Sequence, residues 1–277
     1  WTLPNRSMSM DPLLLGLVLL AGTLAAGNPL HQGDPRAIKE VKLDMALNSF
    51  DDQYLGCSSM MEEELEELNR TEFAKNAIYA QCWTQAAAQW QKKGQGVPLP
   101  PGMRTEHAVA IMSYTLQDRL YPNFNANVRE GGSSLSQYLH KFDFKVLHFL
   151  LTQALSILRK AQPRCYNVYR GVTGIRFMAK PKDLVRFGQF TSSSVKKEVA
   201  TDFGTDTFFL VNTCYGVPIW DFSYFEKEHE ILIPPYEKFE VTSVTHGGQG
   251  PIIQLSSQGT LSKYSCEWVK GDILRDG

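Results

Sequence analysis

An α+β fold is predicted by a change of texture along the chain, with helix-forming residues in its first half and short β-prone segments in its second. Met60 to Gln91 is dense in Glu, Leu, Ala, Gln and Lys and holds no Pro or Gly, as a helix requires. From Tyr166 onward, short apolar and β-branched runs alternate with Pro and Gly, as strands and turns do. Composition agrees: 43% apolar and 21% charged residues in a chain of 277 supply enough core for one domain or two small ones.

The elements follow in order. Leu13 to Leu24 is an apolar run too short for a comfortable membrane span, and small residues close it. Residues 1–27 therefore read as a secretory leader, although Arg6 is the only cation ahead of the run. Residues 28–277 form the remaining domain. In the first helix, Glu62, Glu63 and Glu64 are expected in the opening turns, where the helix dipole favours negative charge. Gly94, Gly96 and Pro98 to Gly102 break the chain. His107 to Thr115 reads as a strand or a helix. Ser134 to Lys160 is the clearest helix, because Phe144, Leu147, Leu151, Leu155 and Leu158 share one face. Gln162-Pro163 stops it. Strands are expected at Asn167–Tyr169, Leu184–Ser193, Thr207–Thr213, Ile219–Asp221, His229–Ile233 and Phe239–His246, with a last pair near Ile252–Leu255 and Tyr264–Val269.

Composition also narrows the function. A net charge of −1 lacks the basic surplus of a nucleic-acid binder. The cysteines have no CxxC spacing and the six histidines are scattered, which argues against a zinc site. In an exported chain, Cys57, Cys82, Cys165, Cys214 and Cys266 fit two disulfides plus one buried thiol. Asn69-Arg70-Thr71 is an N-glycosylation sequon. Lys270 to Gly277 carries no apolar tail for a lipid anchor, so a secreted product is expected, with membrane attachment only through a signal outside this sequence.

Three short motifs carry chemistry. Glu228-His229-Glu230 leads into the apolar run Ile231-Leu232-Ile233; in extended geometry both carboxylates face one side, roughly 5–7 Å apart. Like charges that close raise one pKa and so separate the roles of the pair. Ser192 and Ser194 offer hydroxyls on one strand face. Arg170-Gly171 ends a short strand with a guanidinium suited to phosphate and a glycine that lets a ligand approach. Taken singly, each reads more readily as a solvated strand end, a polar turn or a surface ion pair. Neither G-x-G-x-x-G after a strand, nor G-x-x-x-x-G-K-[ST], nor G-x-S-x-G is present, so a Rossmann crevice is not expected.

Their order is more specific. Arg170, then Ser192, then Glu228-x-Glu230 resembles the Arg–Ser–Glu signature of the ecto-mono-ADP-ribosyltransferases that modify arginine. The resemblance runs from Phe50–Cys57 through Ile111–Thr115, Phe144–Phe149, Tyr169–Gly171, Phe187–Ser192 and Glu228–Pro235 to Tyr264–Glu267, nearly the whole chain after the leader.

That resemblance implies a single domain with two facing β-sheets around an NAD cleft and a helical N-terminal region. It implies cleavage of NAD, or alternatively NADP, at the nicotinamide–ribose bond, with ADP-ribose passed to arginine side chains of acceptor proteins. NAD is a co-substrate there, and no prosthetic group or metal is expected. Arg170 would hold the phosphates, Ser192 would orient the ribose, and Glu230 would stabilise the ribosyl cation. Glu228 would engage the acceptor guanidinium, and His229 should face away from the pair. Tyr114, Gln189 and Ser223 match further NAD contacts, with Phe203 stacking on nicotinamide. Cys57 would pair with Cys266 and Cys165 with Cys214, leaving Cys82 buried on a helix. The alternatives are an enzyme that mainly hydrolyses NAD and a silent surface binding protein of the same fold.

Overall fold

The run of helix formers after residue 58 folds as two helices, α1 (Ser58–Lys75) and α2 (Ala77–Lys93). The computed structural model describes residues 38–116 and 120–273, so the leader reading of residues 1–27 lies outside the described residues. Asn76 makes the break: its backbone is non-helical and its side chain accepts from the Tyr79 amide at 3.1 Å, an N-cap in the middle of good helix formers. Because α1 begins at Ser58, the three glutamates stand beyond its first turn, one turn later than expected. Asn69 is half-buried on α1 and accepts from the Tyr79 hydroxyl at 3.3 Å.

His107 to Thr115 is helical, in α3 (Thr105–Thr115), and every residue of that stretch is buried. Helix α4 (Leu120–Gly131) was not foreseen, with Pro122 near its start. The expected long helix from Ser134 is interrupted at Phe142-Asp143-Phe144, giving α5 (Leu135–Lys141) and α6 (Lys145–Ala161). Glu72 explains the second start. Its buried carboxylate accepts the Lys145 and Val146 amides at 2.6 and 3.1 Å, satisfying the open end of α6 from another helix. Burial pushes its pKa up to about 7. The apolar face of α6 is buried as its periodicity requires, Phe144 to Leu158.

The second half is β-rich. Strands β1 (Lys39–Lys42) and β3 (Ile175–Met178) form a parallel pair that was not foreseen. The other strands are β2 (Tyr166–Val172), β4 (Leu184–Val185), β5 (Thr191–Ser194), β6 (Thr207–Thr213), β7 (Val217–Pro218), β8 (Glu230–Ile233), β9 (Glu237–His246) and β10 (Pro251–Thr260). They form one eight-stranded sheet in the order β4-β9-β10-β6-β2-β5-β8-β7. The segment read as Leu184–Ser193 is two strands: β4 pairs with β9 at one edge and β5 lies between β2 and β8. Ile219–Asp221 is not a strand; Val217–Pro218 just before it is. Tyr264–Val269 is not one either, because Cys266 turns the chain with φ 62° into helix α8 (Glu267–Ile273). A short helix, α7 (Lys197–Asp202), follows β5.

Strands β2 and β5 meet at a single pair, Tyr169 with Ser194, whereas β2 and β6 pair over seven residues. The sheet is therefore nearly parted there, with β5, β8 and β7 on one side. Strand β8 is buried on both faces: Leu232 joins the helical core, while Ile231 and Ile233 join the core of the sheet. Disulfides join Cys57 to Cys266 and Cys165 to Cys214, both as expected, and Cys82 is buried on α2. Arg186, fully buried, pairs with Asp51 at 2.5 Å and ties the segment before α1 to the end of β10 through the Leu261 carbonyl.

Candidate active site

Where β2 and β5 separate, a cavity of about 540 Å³ opens, a volume suited to one small ligand. Arg170, Ser192, Glu228 and Glu230 all line it, together with Tyr114, Gln189 and Phe203. Each comes from a different place. Arg170 extends from β2, Ser192 from β5 and Glu230 from the first position of β8, next to Ser194 in register. Tyr114 stands on α3, and Phe203 follows α7.

The three strand residues are held by backbone pairing and by one another. The Arg170 guanidinium donates to the Ser192 carbonyl at 2.6 Å. Its burial lowers its pKa, while Glu230 acts in the other direction. Burial pushes Glu230 up to about 7, with Glu228 adding to the rise and the nearby Ser192 side chain and Arg170 opposing it. One Glu230 oxygen, Oε1, is buried without a hydrogen-bond partner. A desolvated, unpartnered acceptor lining the cavity can take a hydrogen bond from, or stabilise a charge on, a ligand placed there.

Glu228 is built differently. It ends a 3₁₀ turn, Glu226–Glu228, and His229 follows in the left-handed region at φ 45°. The two glutamates are therefore not neighbours on one extended strand face, as the alternation rule implied. His229 leaves the alternation and packs near the Trp220 ring, centroids 5.9 Å apart. The Glu228 carbonyl accepts from the Ser194 hydroxyl at 2.6 Å, and its half-buried carboxyl has its pKa raised by desolvation.

Among the further candidates, Tyr114 is buried and donates to the Phe190 carbonyl at 2.9 Å. Burial pushes its phenol up to about 12. Gln189 accepts from the Arg129 guanidinium at the rim. Phe203 is exposed beside the cavity, free to meet a flat ring. Ser223 is fully buried and outside the lining; its hydroxyl accepts the Phe225 amide at 3.0 Å, and Phe225 is what faces the cavity. Gly171 also lines the cavity, and the room left by its missing Cβ is filled by the Ala200 and Gly204 carbonyls, so it admits α7 and the turn after it as well.

Sequence reasoning missed Asn125 on α4, which donates to both the Tyr114 hydroxyl and the Phe190 carbonyl at 3.1 Å. It missed Tyr121 and Phe225 too, since a lone aromatic or Asn in an unassigned segment gives no local signal.

Comparison with known proteins agrees with this geometry. The profile of the NAD:arginine ADP-ribosyltransferases matches residues 43–263. The chain is 52% identical over 265 residues to NAD(P)(+)–arginine ADP-ribosyltransferase 2 of Gallus gallus, covering 94% of this chain and 85% of that protein. It is 44% identical over 283 residues to the GPI-linked NAD(P)(+)–arginine ADP-ribosyltransferase 1 of Homo sapiens, covering 97% and 86%. The crystal structure of the eucaryotic mono-ADP-ribosyltransferase ART2.2 superposes with a TM-score of 0.72 at 36% identity, covering 82% of this chain and 98% of that one. A mutant of ART2.2 has been solved in complex with NAD. The chain belongs to the NAD:arginine ADP-ribosyltransferase family. It is an enzyme of that type, an arginine mono-ADP-ribosyltransferase with NAD as co-substrate.

Proposed function

We propose that this enzyme divides its reaction between two carboxylates, Glu230 cleaving NAD and Glu228 receiving the arginine. The observation that carries the reading is the convergence of Arg170, Ser192 and Glu230 on one cavity that also receives Glu228. Arg170 binds the pyrophosphate, since a guanidinium meets two phosphate oxygens at once. Ser192, on β5 beside Glu230, orients the nicotinamide ribose. As the glycosidic bond breaks, nicotinamide leaves with the bonding electrons and positive charge grows on the ribose. The ionised Glu230 carboxylate stabilises that charge where it develops. A guanidinium, with a pKa above about 12, is a poor nucleophile until a proton is removed. Glu228, its own pKa raised by partial burial, is suited to take that proton.

Tyr114 and Gln189 line the nucleotide cavity, Phe203 stacks on the nicotinamide ring, and Ser223 acts through the Phe225 loop. NADP serves as a second co-substrate, in keeping with the NAD(P) in the relatives' names. The acceptors are arginine-bearing proteins at the cell exterior. Relatives include ecto and GPI-linked forms, and among the described residues no helix is long and apolar enough to cross a membrane.

The test is an incubation with labelled NAD and agmatine, a small guanidine. An ADP-ribosyl-agmatine adduct formed together with nicotinamide is the expected result. Free ADP-ribose with no adduct would replace this reading with NAD hydrolysis, and NAD binding without turnover would make the chain a silent binder.

A further inference from the structure

The loop that ends in Glu228 packs on the helical layer, and a lysine of that layer ties its carbonyls and Glu226 together. Between Val217–Pro218 and the start of β8, residues 219–229 have no strand pairing. Phe222 in that loop is buried, and its ring lies 5.8 Å from Trp90 of α2. Lys93, the last residue of α2, reaches the same loop with its side chain 19% exposed. Its ammonium donates to the Ser223 carbonyl at 2.7 Å and the Trp220 carbonyl at 3.3 Å, and it pairs with Glu226 at 2.7 Å. An ammonium has three N–H donors, and here three loop oxygens surround it. Glu226 opens the 3₁₀ turn that Glu228 closes, so the contact acts on the turn itself. Ser194 fixes the Glu228 carbonyl from the other side and Thr115 accepts the Tyr224 amide, while Lys93 holds Trp220, Ser223 and Glu226 together. Lys93 does not line the cavity.

We infer that Lys93 is a positioning residue for the acceptor: by fixing Trp220 to Glu228 it sets how much ADP-ribose passes to arginine rather than to water. The inference rests on the assignment of Glu228 to the acceptor. In both outcomes the bond from ribose C1 to the nicotinamide nitrogen breaks, and nicotinamide keeps the electron pair. In transfer, a guanidinium nitrogen bonds to C1 and gives its proton to Glu228. In hydrolysis, a water oxygen bonds to C1 and gives its proton to solvent. A displacement of Glu228 by about an ångström lowers the first path strongly, because general-base transfer needs hydrogen-bond distance. The second path does not need Glu228.

Lys93→Met, Lys93→Arg and Glu228→Gln are assayed with labelled NAD over a range of agmatine concentrations, measuring adduct and free ADP-ribose together. Lys93→Met is expected to raise the agmatine KM and to lower the ratio of transfer to hydrolysis about tenfold, with Lys93→Arg recovering most of the ratio. Parallel loss of both activities, or a wild-type ratio in folded Lys93→Met protein, overturns the inference. If Lys93→Met does not fold, Glu226→Gln is read the same way: a ratio lowered about twofold supports the role, and an unchanged ratio overturns it. Glu228→Gln with undiminished transfer sinks the acceptor assignment and the inference together. A Glu228→Gln that loses transfer beside a Lys93→Met of wild-type ratio sinks the Lys93 role alone.

Discussion

Two parts of the cleft are secured in different ways. Arg170, Ser192 and Glu230 stand on β2, β5 and β8, where ladder hydrogen bonds fix the backbone and buried side chains fill both faces of β8. Glu228 stands on a loop without strand pairing, anchored by buried Phe222 and by side-chain contacts from Lys93, Thr115 and Ser194. On the proposed assignment of the two glutamates, the difference maps onto the two halves of the reaction. Breaking NAD needs a charge placed against a growing cation, and a rigid ladder supplies that placement. Receiving an acceptor that belongs to another protein asks for a surface loop, whose shape a few contacts set.

The largest effect that this contrast predicts is at the rigid part. Glu230→Gln should lower nicotinamide release about 10³-fold, with and without agmatine, because charge stabilisation in the transition state is lost. Glu228→Gln should lower adduct formation about 100-fold and leave NAD hydrolysis within about threefold. Equal loss of both activities in the two variants would erase the contrast.

A smaller effect concerns stability. Burial holds the folded pKa of Glu230 near 7, above its ordinary 4.5. Below pH 4.5 the group is protonated in both the folded and unfolded chain. Between 4.5 and 7 the unfolded chain loses its proton first, so this group's contribution falls as pH rises. Glu230→Gln should therefore unfold at a higher temperature than wild type at pH 8, by on the order of 2 kcal/mol in stability, and the gain should vanish near pH 4. Thermal melts of both proteins across that range measure it. For the same reason, wild-type NAD cleavage should rise with pH through about 7, as the carboxylate form fills.

The smallest effect is again in the loop. The Thr115 hydroxyl accepts the Tyr224 amide at 2.9 Å. Thr115→Val removes that acceptor and should cost about 1 kcal/mol, read as a transfer rate a few-fold lower with hydrolysis unchanged.

The same division governs what could be read from the sequence. Thr207–Thr213 matches its strand residue for residue, because alternation and burial act within the segment itself. The apolar face of α6 was legible for the same reason. What failed depended on distant partners. The restart of a helix after Phe144 relies on Glu72, 73 residues away from Lys145, and no local pattern announces it. Tyr264–Val269 looks β-prone, but the disulfide to Cys57 and the positive φ of Cys266 turn it into a helix. At the site, order and spacing brought out Arg170, Ser192, Glu228 and Glu230, and all four reach one cavity. The left-handed turn at His229 was not legible, since a non-glycine residue there depends on the contacts around it. Asn125 and Phe225 were not legible for want of any motif.

The single backbone pair between Tyr169 and Ser194 has a mechanical consequence. Arg170 spans the same seam through its bond to the Ser192 carbonyl, so one side chain that lines the cavity also latches the two sides of the sheet together.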